Sequence, residues 1–275
     1  MKTILIPFDS SSTSRNTIEY ACHLLKQMKT EKVFILQALE LTIFDSFSQT
    51  NTDEPVEQHH NAELELQEIA EKLQAFAGPD TVVKYATSNF SLLRAVHQAI
   101  VTVQPDVIIA GSDSEDEESP IGDEVISIAK SSPVPVLVVP SACKYQTIKN
   151  VLVPCNFKDL SNLELLSGLQ AIESQEEVKL ELLNVSSKPI QPGSKEEIEA
   201  SIEELLKDHD YNLNYSSNDN IVDGILEFAE SNPVQVVIAL PGKHSFFYRL
   251  THSSITQALT QNSSKPVLLL KETEE

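Results

Sequence analysis

The chain is short of cysteine, of positive charge and of long apolar runs, and each shortage removes a class of function. Its three cysteines, Cys22, Cys143 and Cys155, have no CxxC spacing. An odd, sparse set does not make a disulfide framework and fits a reducing compartment. Lys and Arg number 20 against 41 Asp and Glu, a formal charge of −21. Up to Ala142 there are 21 acids and 9 bases, and beyond it 20 acids and 11 bases, so both halves are acidic. Such a surface repels DNA, RNA and anionic lipid, and neither nucleic acid nor membrane is expected as a partner. No apolar run approaches the ~20 residues that span a bilayer. The run at the N-terminus is too short for a signal-peptide core and ends at Pro7 and Asp9, which predicts a cytoplasmic protein.

Catalytic motifs are also missing. There is no Gly-x4-Gly-Lys-Ser/Thr loop, no Gly-x-Gly-x2-Gly and no Gly-x-Ser-x-Gly. Cys155 has no motif around it and reads as a small buried apolar residue. Cys22 belongs to a helix core face and His23 to its edge. His59, His60 and Glu63 offer two ligands at helical spacing, which does not make a zinc site. His97 adjoins an apolar helix face as an ordinary, partly buried histidine. Paired acids such as Glu196-Glu197 and Glu203-Glu204 read as solvated helix faces. No catalytic residue and no metal site are predicted.

What the chain does have is an internal repeat. Thr3-Ile-Leu-Ile-Pro-Phe-Asp9 recurs as Asn150-Val-Leu-Val-Pro-Cys-Asn156. Asp106-Val-Ile-Ile-Ala110 recurs as Gln235-Val-Val-Ile-Ala239, and Pro135-Val-Leu-Val-Val139 as Pro266-Val-Leu-Leu-Leu270, in the same order. Short Val/Ile/Leu runs alternate with stretches of helical period. Strands are expected near 3–7, 32–38, 81–86, 106–111 and 135–139, then 150–154, 178–185, 211–215, 234–240 and 266–270. Ile18, Cys22 and Leu25 share one helix face; Leu66, Ile69, Leu73 and Phe76 share another; Leu92, Val96, Ile100 and Val103 share a third. Continuous apolar strands alternating with helices predict parallel sheets covered on both faces. Two domains are expected, 1–142 and 149–275, joined by a linker near 141–148. Residues 42–61 and the acidic run 112–120 are expected as loops.

Ile6-Pro7-Phe8-Asp9-Ser10-Ser11-Ser12 and Pro135-Val-Leu-Val-Val139, with their second-half counterparts, resemble the universal stress protein (UspA-type) family. The resemblance spans nearly the whole chain, twice. It implies two tandem five-stranded parallel-sheet sandwiches, Rossmann-like and similar to the adenine nucleotide alpha hydrolases. It also implies that the two pack as a pseudo-dimer through their fifth strands, Val136–Val139 and Val267–Leu270. Both strands are apolar, with no charge or bulge to guard an open edge.

In nucleotide-binding members of that family, Gly-x2-Gly-x9-Gly-Ser/Thr after the fourth strand cradles ATP phosphates, and the Asp after the first strand lies near the adenosine. Glycines let the backbone approach, and amides at a helix N-terminus point at the anion. Here Gly111 holds the first glycine position, Ser114 the second, Gly122 the third in a loop two residues shorter, and Asp123 the hydroxyl position. Asp9 is the aspartate. The intervening acids, Asp113, Glu115, Asp116, Glu117 and Glu118, face a phosphate badly: like charges 4 Å apart cost about 4 kcal/mol at an effective dielectric near 20. In the second half Leu240, Lys243 and Ser253 replace the glycines, Ser254 holds the hydroxyl position and Asn156 replaces the aspartate. With Lys243, His244, Arg249 and His252, this is the most basic loop of the chain.

Three readings follow. The first is a non-catalytic stress-response protein with degenerate ATP loops and no cofactor, acting through a protein partner, with further homo-oligomerisation open. The second is a sensor of ATP or AMP in the first half only, through Asp9, Gly111 and Gly122. The third is a slow ATPase.

Overall fold

A computed structural model describes residues 2–39, 54–112, 120–157, 178–187, 194–207, 209–240 and 263–271, with 160, 163 and 166 between them. In chain order the first half runs β1 (Thr3–Phe8), α1 (Ser12–Gln27), β2 (Lys32–Ala38), α2 (Glu54–Phe76), β3 (Val82–Ser88), α3 (Leu92–Val103), β4 (Val107–Ser112), α4 (Pro120–Ser131) and β5 (Val136–Pro140). The second half runs β6 (Asn150–Pro154), β7 (Lys179–Val185), α5 (Ser194–Leu205), β8 (Tyr211–Ser216), α6 (Ile221–Ser231), β9 (Val236–Ala239) and β10 (Val267–Leu269).

The strands form one ten-stranded sheet in the order β3-β2-β1-β4-β5-β10-β9-β6-β7-β8. All neighbours are parallel except β5 and β10, which run antiparallel with Val267 opposite Val138, Leu268 opposite Leu137 and Leu269 opposite Val136. The two apolar fifth strands thus close each other's edge, as their sequence predicts. Each half of the sheet has the same strand order counted outward from that seam.

Period-two alternation sorts the strand residues onto two cores. Ile4, Ile6 and Phe8 join α1 and α2 in one layer, through Ile18, Cys22, Leu25, Leu66, Ile69 and Leu73. Leu5 and Leu36 join α3, α4 and α6 in the other, through Leu92, Val96, Val125, Ile128 and Ile225. Both layers run across the seam into the second half. That is why the strands read as continuous apolar runs: each face is covered. Phe76, Ile100 and Val103 pack at the margins.

Matching polar devices start matching strands. Asp106 Oδ2 accepts from the amides of Lys2 and Thr3, at 2.8 and 2.7 Å. Gln235 Oε1 accepts from those of Lys149 and Asn150, at 3.0 and 2.8 Å. Before β5, Ser132 Oγ accepts from Val134 N and donates to Val134 O. Before β10, Ser263 does the same with Lys265.

Two loop expectations need correction. Residues 54–61 are not loop but the first turns of α2. Pro55 sits where a helix needs no amide donor, and the apolar period of Leu66, Ile69 and Leu73 extends back to buried Ala62. His59, His60 and Glu63 therefore lie on a helix, with His60 and Glu63 exposed. The acidic loop is shorter than 112–120. Ser112 is the buried last residue of β4 and Pro120 opens α4, while 113–119 lie outside the described residues. The connection 141–149 is latched to α1: Asn16 Nδ2 donates to the carbonyls of Pro140 and Cys143, and Gln27 pairs with both the amide and the carbonyl of Ile148. Tyr145 also donates to Gln27 and stacks on His23, 5.8 Å between ring centroids.

Candidate binding crevice

In an open α/β sheet, a ligand crevice forms beyond the carboxyl ends of adjacent strands whose connections leave in opposite directions. β1 and β4 are neighbours of that kind, since β1 leads outward to β2 and β4 inward to β5. Asp9 and Ser10 leave β1 at this point, and Gly111 and Ser112 end β4.

The turn from β1 to α1 uses its own aspartate. Ser10 adopts a left-handed backbone, φ 66°, which reverses the chain in one residue. Ser11 is the N-cap of α1 and accepts from Ser14 N at 3.1 Å. Asp9 Oδ1 accepts from the Ser11 amide at 3.1 Å, from Ser11 Oγ at 2.6 Å and from Ser14 Oγ. That oxygen is spent on holding the helix start.

Gly111 is a glycine for a packing reason. A Cβ there would lie 2.5 Å from Thr17 Oγ1, 2.7 Å from Thr13 Cγ2 and 3.1 Å from the Thr13 carbonyl. Helix α1 lies so close to β4 that no side chain fits between them. Gly122 and Asp123 fall in the first turn of α4, and Ser114 lies outside the described residues. Asp9 and Gly111 thus meet at one strand-end crevice.

Beside Asp9 is a polar network that no sequence motif signals. Ser10 Oγ donates to Glu65 Oε2 of α2 at 2.6 Å and accepts from Gln37 Nε2 of β2 at 3.1 Å. Glu65 also pairs with Arg15 of α1. Gln37 is buried, and its Oε1 has no partner among the described residues.

The second half fills the same place differently. Phe157 stands where Ser10 stands in the first repeat, is fully buried, and packs edge-on against Tyr215 at 5.2 Å between centroids. Asn184, at the register of Gln37, donates to the Cys155 carbonyl at 3.2 Å. Leu240 is buried; Lys243, His244, Arg249, His252, Ser253 and Ser254 lie outside the described residues. Cys155 is a buried core residue, as its setting predicts, and burial pushes its thiol up to about 12. Burial likewise pushes the Cys22 thiol up to about 11. Neither forms thiolate readily. His97 is exposed rather than partly buried, and its Nε2 meets Ser131 Oγ at 2.9 Å. Among the described residues, no three His, Cys, Asp or Glu side chains converge on a metal-sized point, and no helix is long and apolar enough to cross a membrane.

Residues 1–140 match the universal stress protein family. The chain belongs to that family. The match stops before β6, and it is in the second half that the crevice residues differ most, at Asn156, Phe157 and Leu240. Curated proteins include no sequence match to the chain. Solved structures do share its fold. A universal stress protein from Archaeoglobus fulgidus DSM 4304 superposes with a TM-score of 0.66 at 17% identity, over 98% of this chain and 96% of its own. A protein of unknown function from Pseudomonas aeruginosa PAO1 gives 0.53 at 12%, over 99% and 93%. The cytoplasmic domain of a prokaryotic cation chloride cotransporter gives 0.54 at 13%, over 100% and 97%.

Proposed function

We propose that this universal stress protein is a non-catalytic binding protein of the stress response, built from two domains of one design and acting in the cytoplasm through a protein partner, with neither crevice suited to ATP. One observation carries the reading. The two residues that would serve a nucleotide in the first half are committed elsewhere, Asp9 Oδ1 to Ser11 and Ser14 and the bare Cα of Gly111 to Thr13 and Thr17. The acids of 113–118 oppose a phosphate by charge, and Phe157 fills the second crevice. Purified protein, denatured and analysed by mass spectrometry for released small molecules, is expected to yield no nucleotide. Isothermal titration with magnesium-ATP is expected to give no heat above dilution. A micromolar dissociation constant overturns the proposal.

The rival reading is a sensor of ATP or AMP in the first half, using Asp9, Gly111 and Gly122. It is favoured by the polar lining of that crevice, with Ser10, Gln37 and Glu65 where the second half has Phe157. The same titration separates the two.

A further inference from the structure

Beside the first-half crevice lies a buried acceptor that meets no donor among the described residues. Gln37 is 5% exposed near the carboxyl end of β2, between Phe8 of β1 and Thr87 of β3. Its orientation is fixed by its neighbours. Glu65 as a carboxylate only accepts, so the single hydroxyl proton of Ser10 goes to Glu65 Oε2 at 2.6 Å. Ser10 Oγ is then left as an acceptor, and Gln37 must turn its NH2 toward it, at 3.1 Å. The amide oxygen Oε1 is then turned from Ser10 and meets no donor among the described residues. A buried acceptor without a donor is costly, and a folded protein retains few of them.

The surroundings say which donor would suit it. Gln37 and Ser10 form a chain of hydrogen bonds ending on a negative charge, and such a chain polarises each member, which makes the amide oxygen a stronger acceptor. The charged groups at the crevice, among the described residues, are the carboxylates of Asp9 and Glu65 and the guanidinium of Arg15. One negative charge is left over, on a chain whose net charge is −21. In the second half the corresponding Asn184 has a partner, and Phe157 takes the place of Ser10.

We propose that the first-half crevice binds a small organic cation through a primary ammonium or guanidinium group, which donates to Gln37 Oε1 and is balanced by Glu65 and Asp9. Among the described residues the second half offers no counterpart, since Asn184 is paired and Phe157 takes the place of Ser10. The inference rests on reading the crevice as unsuited to phosphate.

The test is isothermal titration of the full chain with agmatine, which carries both groups, at fixed ionic strength, with magnesium-ATP in parallel. The parent is expected to bind one agmatine. Gln37→Met removes the acceptor at similar length, and Glu65→Gln removes the charge at similar shape; each is expected to weaken binding at least tenfold while the circular dichroism spectrum stays that of the parent. Should Gln37→Met not fold, Glu65→Gln carries the test alone. No saturable heat with the parent, or many weak sites equal in parent and variants, overturns the inference, the first outcome leaving only a buried water for Gln37 and the second only the acidic surface. Micromolar ATP binding overturns the proposed function instead, so the two failures are distinguishable.

Discussion

Replacing Gly111 with alanine separates a glycine kept for phosphate from one kept for packing. The added Cβ would fall 2.5 Å from Thr17 Oγ1 and 2.7 Å from Thr13 Cγ2, both on buried residues of α1. Neither atom can simply step aside. Thr17 Oγ1 is tied to the Thr13 carbonyl at 2.9 Å, and that carbonyl is itself 3.1 Å from the new carbon. Relief therefore requires the start of α1 to lift from β4, which disturbs the cap that Asp9 and Ser11 build. Overpacking of this kind costs typically about 1–3 kcal/mol, and with backbone among the clashing atoms the upper part of that range is expected. At a urea dependence of about 2–3 kcal/mol per molar, the unfolding midpoint should fall by roughly 1 M. Thr17→Ala removes the nearest contact, so Gly111→Ala and Thr17→Ala should not add: the double variant should recover about 1 kcal/mol relative to the sum of the singles. Equilibrium urea unfolding of the four proteins completes the cycle. A Gly111→Ala midpoint equal to that of the parent, or strictly additive effects, would refute the packing argument and return Gly111 to a ligand role.

Three further outcomes are expected. Asp9→Ala strips the acceptor from Ser11 and Ser14 and should lower stability by about 1–2 kcal/mol in thermal unfolding; a melting temperature equal to the parent's would show that the cap does not depend on it. Lys271, following β10, donates to the Ala129 carbonyl of α4, which no helix amide can reach because residue 133 is proline; Lys271→Met should lower the urea midpoint by an amount worth about 1–2 kcal/mol, and an unchanged midpoint would remove this latch across the seam. Cys155 keeps its proton in the folded state to about 12, against an ordinary value of 9.0. Its contribution is therefore complete below pH 9 and fades as pH rises toward 12, at up to about 1.4 kcal/mol per unit. Melting curves at pH 8, 9 and 10 should show a shallower alkaline decline for Cys155→Ala than for the parent, and parallel declines would refute the assignment.

The fold could be read from the sequence because the inner strands β1, β4, β5 and β9 are buried on both faces and read as apolar runs, and because the repeat marks where each strand begins. Strand ends shifted by a residue or two, as at Val82–Ser88, where side chains leave the core. The start of α2 was hidden because His59, His60 and their polar neighbours resemble loop composition, although Glu54-Pro55 is a helix-start signal. The crevice was half legible. Asp9 and Gly111 are visible as residues that follow strands, but what they do depends on Ser14, Thr13 and Thr17, whose closeness only the packing of α1 on β4 reveals. The network of Ser10, Gln37 and Glu65 has no sequence spacing to find it by, since its members come from three elements. Its one sign is a glutamine in the otherwise apolar strand Val33-Phe-Ile-Leu-Gln37.

The two halves differ at the crevice more than in the scaffold, and the reason is physical. Asp106 and Gln235 cap the first strand of their halves with the same two-amide geometry, and Ser132 and Ser263 make the same turn before the fifth strand. Those positions fix register, and a slip of one residue would turn the apolar face of a strand toward the wrong layer. Asp for Gln is tolerated there because both offer an acceptor. The crevice positions carry no such constraint. Ser10 against Phe157, Gln37 against Asn184 and Gly111 against Leu240 leave the strand order unchanged. A polar opening needs hydrogen-bond partners, whereas Phe157 closes its opening with apolar area that stabilises the fold directly. The second half has the cheaper arrangement. The first half keeps a buried acceptor without a partner among the described residues, which a protein selected for stability alone would lose to an apolar substitution such as Gln37→Met.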